Sequence, residues 1–293
     1  MKAAFLVLCA LVASSRRVLK AWIRRRSGVS PRRRVAAAGL LHLALALQLG
    51  SGLVSPAWAQ DAGASRPALI AAAANLQPVL AELVPLFERG QKNRVRINIG
   101  SSANLVRQIQ QGLPAELFLS ADEDFALRLA DAGLTPDRGR VYATGRLVLL
   151  VPAGSPLALD PQLRGLKAGL GQVQKFAIAN PELAPYGKAA VQVLQKLDIW
   201  PSLQGKIVLG ENIAQTTQYV STGAAQAGIT ALSLALAPEL ATRVRYVLLP
   251  DELHAPLRQR MVLLKNAGPA ARAFYEFLQS PAAKAVLMRY GYV

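Results

Sequence analysis

Reactive side chains are scarce in this sequence. Its 293 residues include one cysteine, Cys9, and two histidines, His42 and His254. One cysteine cannot form an internal disulfide, and with Cys9 so near the start the rest of the chain has no thiol chemistry even in an oxidising compartment. The apolar run before Cys9 is very short for a lipid anchor. No Cys/His spacing suited to a metal, no G-x-S-x-G elbow and no phosphate-loop motif occurs. His254, between Leu253 and Ala255, reads as a surface loop residue. Asp122 and Asp124 sit at a helix start, where the helix dipole accounts for both carboxylates. Little is left from which to build an active site, so the chain reads as a non-enzyme, with a secreted hydrolase as the remote alternative.

Acidic residues are few as well, 17 against 34 lysines and arginines, for a formal charge of +17. That excess suggests nucleic acid or a membrane surface until its distribution is considered. Ten of the basic residues precede position 60, where there is no acid at all; the remainder carries 24 bases against 17 acids, with no basic run. Nucleic-acid binding loses its support. The basic segment leads into an uncharged, Ala/Leu-rich stretch, Val35 to Ala59, ending Ala57-Trp58-Ala59. This is the build of a secretory signal peptide over residues 1–59, which implies a periplasmic protein. A membrane-spanning helix is the competing reading, but Gly50, Gly52 and Pro56 break the run. A second apolar run at 3–13 points to a translation start downstream of Met1. Arg33-Arg34 has poor flanks for a twin-arginine signal. Residues 60–66 read as a flexible lead-in.

The chain is 52% hydrophobic, and beyond the lead-in its apolar residues alternate between strand and helix spacing. Leu69 to Ala73 predicts a strand, then Asn75 as an N-cap, with Pro78 in the first turn of a helix through Glu88. Val95 to Ile99 alternates as a strand does, Gly100-Ser101-Ser102 breaks it, and Leu105, Val106 and Ile109 recur at helical spacing up to Gly112. Leu147 to Val151 reads as a fully apolar strand, Phe176 to Ala179 and Ile207 to Leu209 read as strands, and Gly187 to Leu197 and the segment from Ile213 read as helices. Leu257 to Lys265 is a long returning strand before two closing amphipathic helices. Alternation of this kind predicts α/β lobes with mostly parallel sheets and ligand sites beyond the strand C-termini. The lobes are assigned to 67–150 plus 258–293 and to 151–257, with a hinge near Val151 and Leu257.

Four strand-to-helix corners carry Ala74, Asn75, Ser101, Ser102, Pro185, Tyr186, Asn212 and Ile213. Taken alone, a serine corner is better explained by helix capping, and Tyr186 is explained equally by packing between lobes. Four helix starts facing one another instead outline a site for an anion held by neutral donors. With no lysine, arginine or carboxylate at the corners, apart from Glu211 beside one, such a site favours a fully ionised oxyanion. Arg107 and Lys188 lie behind the corners on solvated faces.

AAAANL at 71–76, GSSANLVRQIQQGLPAELFLSAD at 100–122, NPELAPYGKAA at 180–190 and FYEFLQSPAAKAVLMRYGY at 274–292 resemble the periplasmic molybdate-binding (ModA) family of molybdate/tungstate ABC importers. The resemblance covers nearly all of residues 68–292. It implies a type II periplasmic-binding-protein fold, two α/β lobes joined by two crossing strands with a ligand cleft between them. Such a protein closes on molybdate or tungstate, needs no cofactor beyond that ligand, acts as a monomer and delivers to an ABC permease in the inner membrane. Carried across position by position, the family's ligands fall on Asn75 and Ser102 in the first lobe and Tyr186 and Ile213 in the second. Ala74 offers a backbone N–H in place of a hydroxyl. The commonest form of the family has serine at the place of Asn75 and a ligand tyrosine at that of Ala231. Asn75 with Tyr186 resembles a second subtype that places its tyrosine hydroxyl elsewhere. A binder of sulfate, phosphate or an organic anion is the nearest alternative, and cavity size decides it. A regulator's sensing domain shares the fold, but no helix-turn-helix precedes this one.

Overall fold

Six apolar residues, ALIAAA at Ala68–Ala73, form β1, an interior strand of the first of two sheets. The computed structural model describes residues 66–293. The expected signal peptide, Cys9, His42 and all of the expected lead-in before Arg66 lie outside the described residues. Parallel strands covered by helices on both faces are continuous apolar runs, and β1 is buried along all but one residue. It pairs in parallel with β2 (Val95–Gly100) and β3 (Leu117–Leu119). The register sets Ala73 opposite Gly100. The two strands therefore end level, and the Ala74-Asn75 and Ser101-Ser102 corners stand side by side. Three helices interleave: α1 (Gln77–Glu88), α2 (Ser102–Gln110) and α3 (Glu123–Asp131).

β4 (Arg140–Gly145) and β5 (Leu147–Pro152) are separated by Arg146 alone, and there the chain changes sheets. β5 pairs antiparallel with β8 (Ala227–Ala231) and β9 (Val244–Leu248). Leu147–Leu150, assigned from the sequence to the first lobe, thus belong with Val151 and Pro152 to the second sheet, and the first crossing lies at Gly145–Leu147 instead of near Val151. Pro152 ends an apolar strand and so resembles a boundary in sequence, whereas RVYATG of β4 has no clear apolar period to mark a strand. The second sheet continues through α4 (Arg164–Ala168), β6 (Phe176–Ala179), α5 (Pro185–Lys196), α6 (Trp200–Leu203), β7 (Ile207–Gly210), α7 (Ile213–Ser221) and α8 (Leu232–Ala235). Here too the register is level, Ala179 opposite Gly210, and the Asn180 N–H donates to the Gly210 carbonyl at 2.8 Å.

The second crossing leads into β10 (Leu257–Leu263), which returns between β3 and β4 in the first sheet. The orders are β2-β1-β3-β10-β4 and β7-β6-β8-β5-β9. α9 (Pro269–Phe277) and α10 (Pro281–Arg289) then pack back on the first lobe. His254 departs from expectation. It is 9% exposed and its Nδ1 lies 2.8 Å from the Ala255 carbonyl, because its neighbour Leu253 is drawn into the core and takes the loop with it.

One apolar cluster in the first lobe gathers Phe87, Phe274 and Phe277, with the Phe87 and Phe274 rings edge-to-face at 4.9 Å. Phe274 is fully buried. Phe274→Ala leaves a cavity there and is expected to cost about 3–5 kcal/mol in urea unfolding; a loss under about 1 kcal/mol would show that this cluster is not a core.

Candidate functional site

The four corners meet. Ala74, Asn75, Ser101 and Ser102 from the first lobe and Pro185, Tyr186, Asn212 and Ile213 from the second line one small cavity, closed off by Ala73, Gly100, Ala121 and Ala184. All five residues singled out from the sequence, Ala74, Asn75, Ser102, Tyr186 and Ile213, are brought together. No charged side chain lines it. The cavity is small, about 10 Å³. That is room for one small compact ion and excludes a sugar or an amino acid.

The donors follow from helix geometry. Ser102 and Ile213 are the first residues of α2 and α7, and Tyr186 is the second of α5, so their N–H groups have no carbonyl within their own helices. Among the described residues these three N–H groups have no other protein acceptor. Pro185 starts α5 two residues earlier than the sequence suggested, its fixed φ suiting the first turn; Tyr186 thereby becomes a helix-start residue. Asn212 caps α7, its Oδ1 accepting from the N–H groups of Ala214 and Gln215 at 3.0 Å. Asn75 does not cap. Residues 74–76 form a 3-10 turn that starts after Ala73, and the Asn75 side chain points into the protein. Neither serine side chain caps α2. The Ser102 hydroxyl accepts from the Ala121 N–H at 3.1 Å, which leaves its proton to donate elsewhere, and the Ser101 hydroxyl is buried with no partner at all. Ser101 is the strongest addition to the sequence-based set. Arg107 and Lys188 are exposed, as expected.

The lobes are shut over this cavity. The Ala103 N–H donates to the Leu183 carbonyl at 3.1 Å, and Asn104 Nδ2 to Glu211 Oε1 at 2.8 Å. At the inner end, Ser233 Oγ donates to the Asn75 carbonyl at 2.8 Å.

Comparison with known proteins gives the family. The bacterial extracellular solute-binding protein family matches residues 68–293. The molybdate-binding protein ModA of Rhodobacter capsulatus is 36% identical over 253 residues, covering 85% of this chain and 95% of that protein. ModA of Azotobacter vinelandii is 37% identical over 251 residues, covering 85% and 96%. This chain belongs to the ModA family. A solved Azotobacter vinelandii periplasmic molybdate-binding protein superposes with a TM-score of 0.71 at 32% identity, covering 77% of this chain and 98% of that one. The sulfate-binding protein SubI of Mycobacterium tuberculosis shares the fold at a TM-score of 0.67 and 19% identity. ModA proteins are solute-binding proteins of extracytoplasmic type, and nothing in this one points to catalysis. Among the described residues no cluster of His, Cys, Asp or Glu could hold a metal ion, and no helix is long and apolar enough to cross a membrane.

Behind this ModA-family cavity lies a buried polar network. Asn75, fully buried, donates from Nδ2 to Gln259 Oε1 at 2.9 Å and to Tyr292 Oη at 2.7 Å. Gln259, on β10 and also fully buried, donates from Nε2 to Tyr186 Oη at 3.0 Å and accepts from Tyr142 Oη at 2.9 Å. Tyr292 Oη also lies 3.0 Å from the Asn75 carbonyl and 3.2 Å from Ser233 Oγ. Gly145 is required here, since a Cβ would sit 2.0 Å from the Tyr186 hydroxyl. With its hydroxyl held by Gln259, Tyr186 turns its backbone N–H toward the cavity. Ala231 is buried outside the cavity, while Ser233 two residues on joins the network.

Burial pushes the phenols of Tyr142 and Tyr186 far above the ordinary tyrosine value of 10.0, and that of Tyr292 up to about 12. The unfolded chain ionises near 10 while the fold keeps all three protonated. Their stability contribution is therefore complete below pH 10.0 and is lost as pH rises toward about 12. Tyrosinate absorbance and circular dichroism followed across that range are expected to change together. Three phenols titrating near pH 10 in an intact fold would contradict their burial.

Proposed function

We propose that this chain captures molybdate, and tungstate with it, as the binding protein of an ABC importer. The mature form works in the periplasm after an N-terminal signal peptide is removed. The carrying observation is the cavity itself, a closed, uncharged space where helix starts from both lobes aim free donors at one small guest. A dianion there is held by Ser101 and Ser102 hydroxyls, by the N–H groups of Ser102, Tyr186 and Ile213, and by the Ala74-Asn75 turn. Fixed donors replace its hydration shell, so no counter-charge is needed. The 36–37% identity to ModA proteins supports the choice of molybdate among oxyanions.

The ligand bridges two lobes and so favours the closed form over the open one. Closure pivots on the crossings at Gly145–Leu147 and before Leu257, and brings Ala103 to Leu183 and Asn104 to Glu211. The closed monomer is the form that an inner-membrane permease recognises, and the oxyanion is cargo with no further cofactor.

Calorimetric titration of the mature protein tests this. Molybdate and tungstate are expected to bind at least about a hundredfold more tightly than sulfate or phosphate. Equal weak heats from all four would overturn the reading. A hydrogen bond to a charged group contributes about 1.5–3 kcal/mol, so Ser101→Ala and Ser102→Ala are each expected to weaken molybdate by roughly ten- to a hundredfold; unchanged affinity in both would remove the serine corner from the site.

A further inference from the structure

Asn75 carries an anomaly. One atom of its amide meets both Gln259 and Tyr292, while the other, placed as Oδ1, is buried at the cavity with no partner. A dianion only accepts hydrogen bonds, so a bare carbonyl oxygen beside it is repulsive. Rotating the Asn75 and Gln259 amides together by half a turn keeps every heavy-atom contact and inverts the roles. Gln259 Nε2 then donates to Asn75 Oδ1 and Tyr142 Oη, both at the 2.9 Å spacing already present. Tyr142 passes its own proton to the Ser120 carbonyl, 3.1 Å away, and Tyr186 donates to Gln259 Oε1 across 3.0 Å. Tyr292 turns its one proton from the Asn75 carbonyl to Asn75 Oδ1 at the 2.7 Å spacing, the carbonyl keeps the Ser233 Oγ donor at 2.8 Å, and the one free atom of the Asn75 amide becomes Nδ2, a donor.

We propose that Gln259 is a positioning residue that sets the proton order of the anion site, so that the bound state presents Asn75 Nδ2 to the oxyanion. The inference rests on the oxyanion reading of the cavity. Gln259 can do this because its amide bonds both Asn75 of the first lobe and Tyr186 of the second. Its amide is neutral and two-faced, so a donor turned toward Asn75 forces an acceptor toward Tyr186. The order also disfavours a protonated anion, whose hydroxyl loses the acceptor that Asn75 Oδ1 would offer.

Gln259→Glu and Gln259→Met test it, with molybdate and phosphate titrated at pH about 6 and about 8.5 and folding checked by thermal melts. An ionised carboxylate in place of the Gln259 amide only accepts, which turns Asn75 Oδ1 back into the cavity; a protonated carboxyl donates again. The neighbours that titrate are the phenols of Tyr142, Tyr186 and Tyr292, all shifted upward by burial, and the flanking Arg258 and Arg260 stay paired with Glu123. The expected result for Gln259→Glu is molybdate weakened on the order of a hundredfold at the higher pH, recovering about tenfold at the lower. Its preference for molybdate over hydrogen phosphate is also expected to narrow, because the inverted amide accepts that anion's hydroxyl. Gln259→Met, neutral and without hydrogen bonds, is expected to lose about tenfold at both pH values, and it carries the test if the Gln259→Glu variant does not fold. Wild-type-like molybdate affinity in Gln259→Met, or in a folded Gln259→Glu at the higher pH, would overturn the inference while leaving the oxyanion reading intact. If the unmodified protein itself shows no molybdate binding, the oxyanion reading fails first.

Discussion

A doubly charged anion can be taken out of water by uncharged groups only if enough donors point at it before it arrives and water is kept out afterwards. Everything around the cavity serves that constraint. Backbone N–H groups at helix starts are donors that cannot be used inside their own helices, and the helix dipole adds a favourable potential at the same place. Their value rises as the local dielectric falls, so the cavity has to be small and closed. A fully buried lysine or arginine would bind anions more strongly and with less discrimination, and none lines the site.

The sheets supply the alignment. Level strand ends at Ala73/Gly100 and at Ala179/Gly210 put two corners side by side in each lobe, and the small residues Ala73, Ala74, Gly100 and Ala121 let the backbones close around one ion. The lobes meet through a handful of polar contacts, including Ala103 with Leu183 and Asn104 with Glu211. An exposed pair such as the latter contributes little on its own. That suits a jaw that must reopen, with the guest supplying the bias toward closure.

The corners were legible because glycine, serine, asparagine and proline punctuate strand-to-helix junctions in characteristic ways. Ser102, Tyr186 and Ile213 stand where those signals put them. Boundaries were less legible: Pro185 opens α5, and β5 belongs with the second sheet, since a single arginine at the crossing leaves no compositional mark. Asn75 reads as a helix cap in any local window. Its actual partners, Gln259 and Tyr292, lie 184 and 217 residues away, and no periodicity or spacing encodes contacts made by folding. The same distance hides Ser233 and the placement of Gly145 against Tyr186. Ser101 was visible as a corner residue, but that its hydroxyl is the unpartnered one emerges only once Ala121 is seen to occupy Ser102.

The most direct measurement is the position of the metal in a crystal of the mature protein grown with molybdate, located by the anomalous scattering of molybdenum. The expected result is one peak in the cavity between the two lobes, its oxygens within hydrogen-bond distance of the Ser101 and Ser102 hydroxyls and the N–H groups of Tyr186 and Ile213, with no cationic side chain in contact. A peak elsewhere, for example in the open groove lined by Gln77, Gln218 and Tyr290, or one in the cavity with a lysine or arginine drawn in beside it, would contradict the claim that neutral donors alone hold the ion.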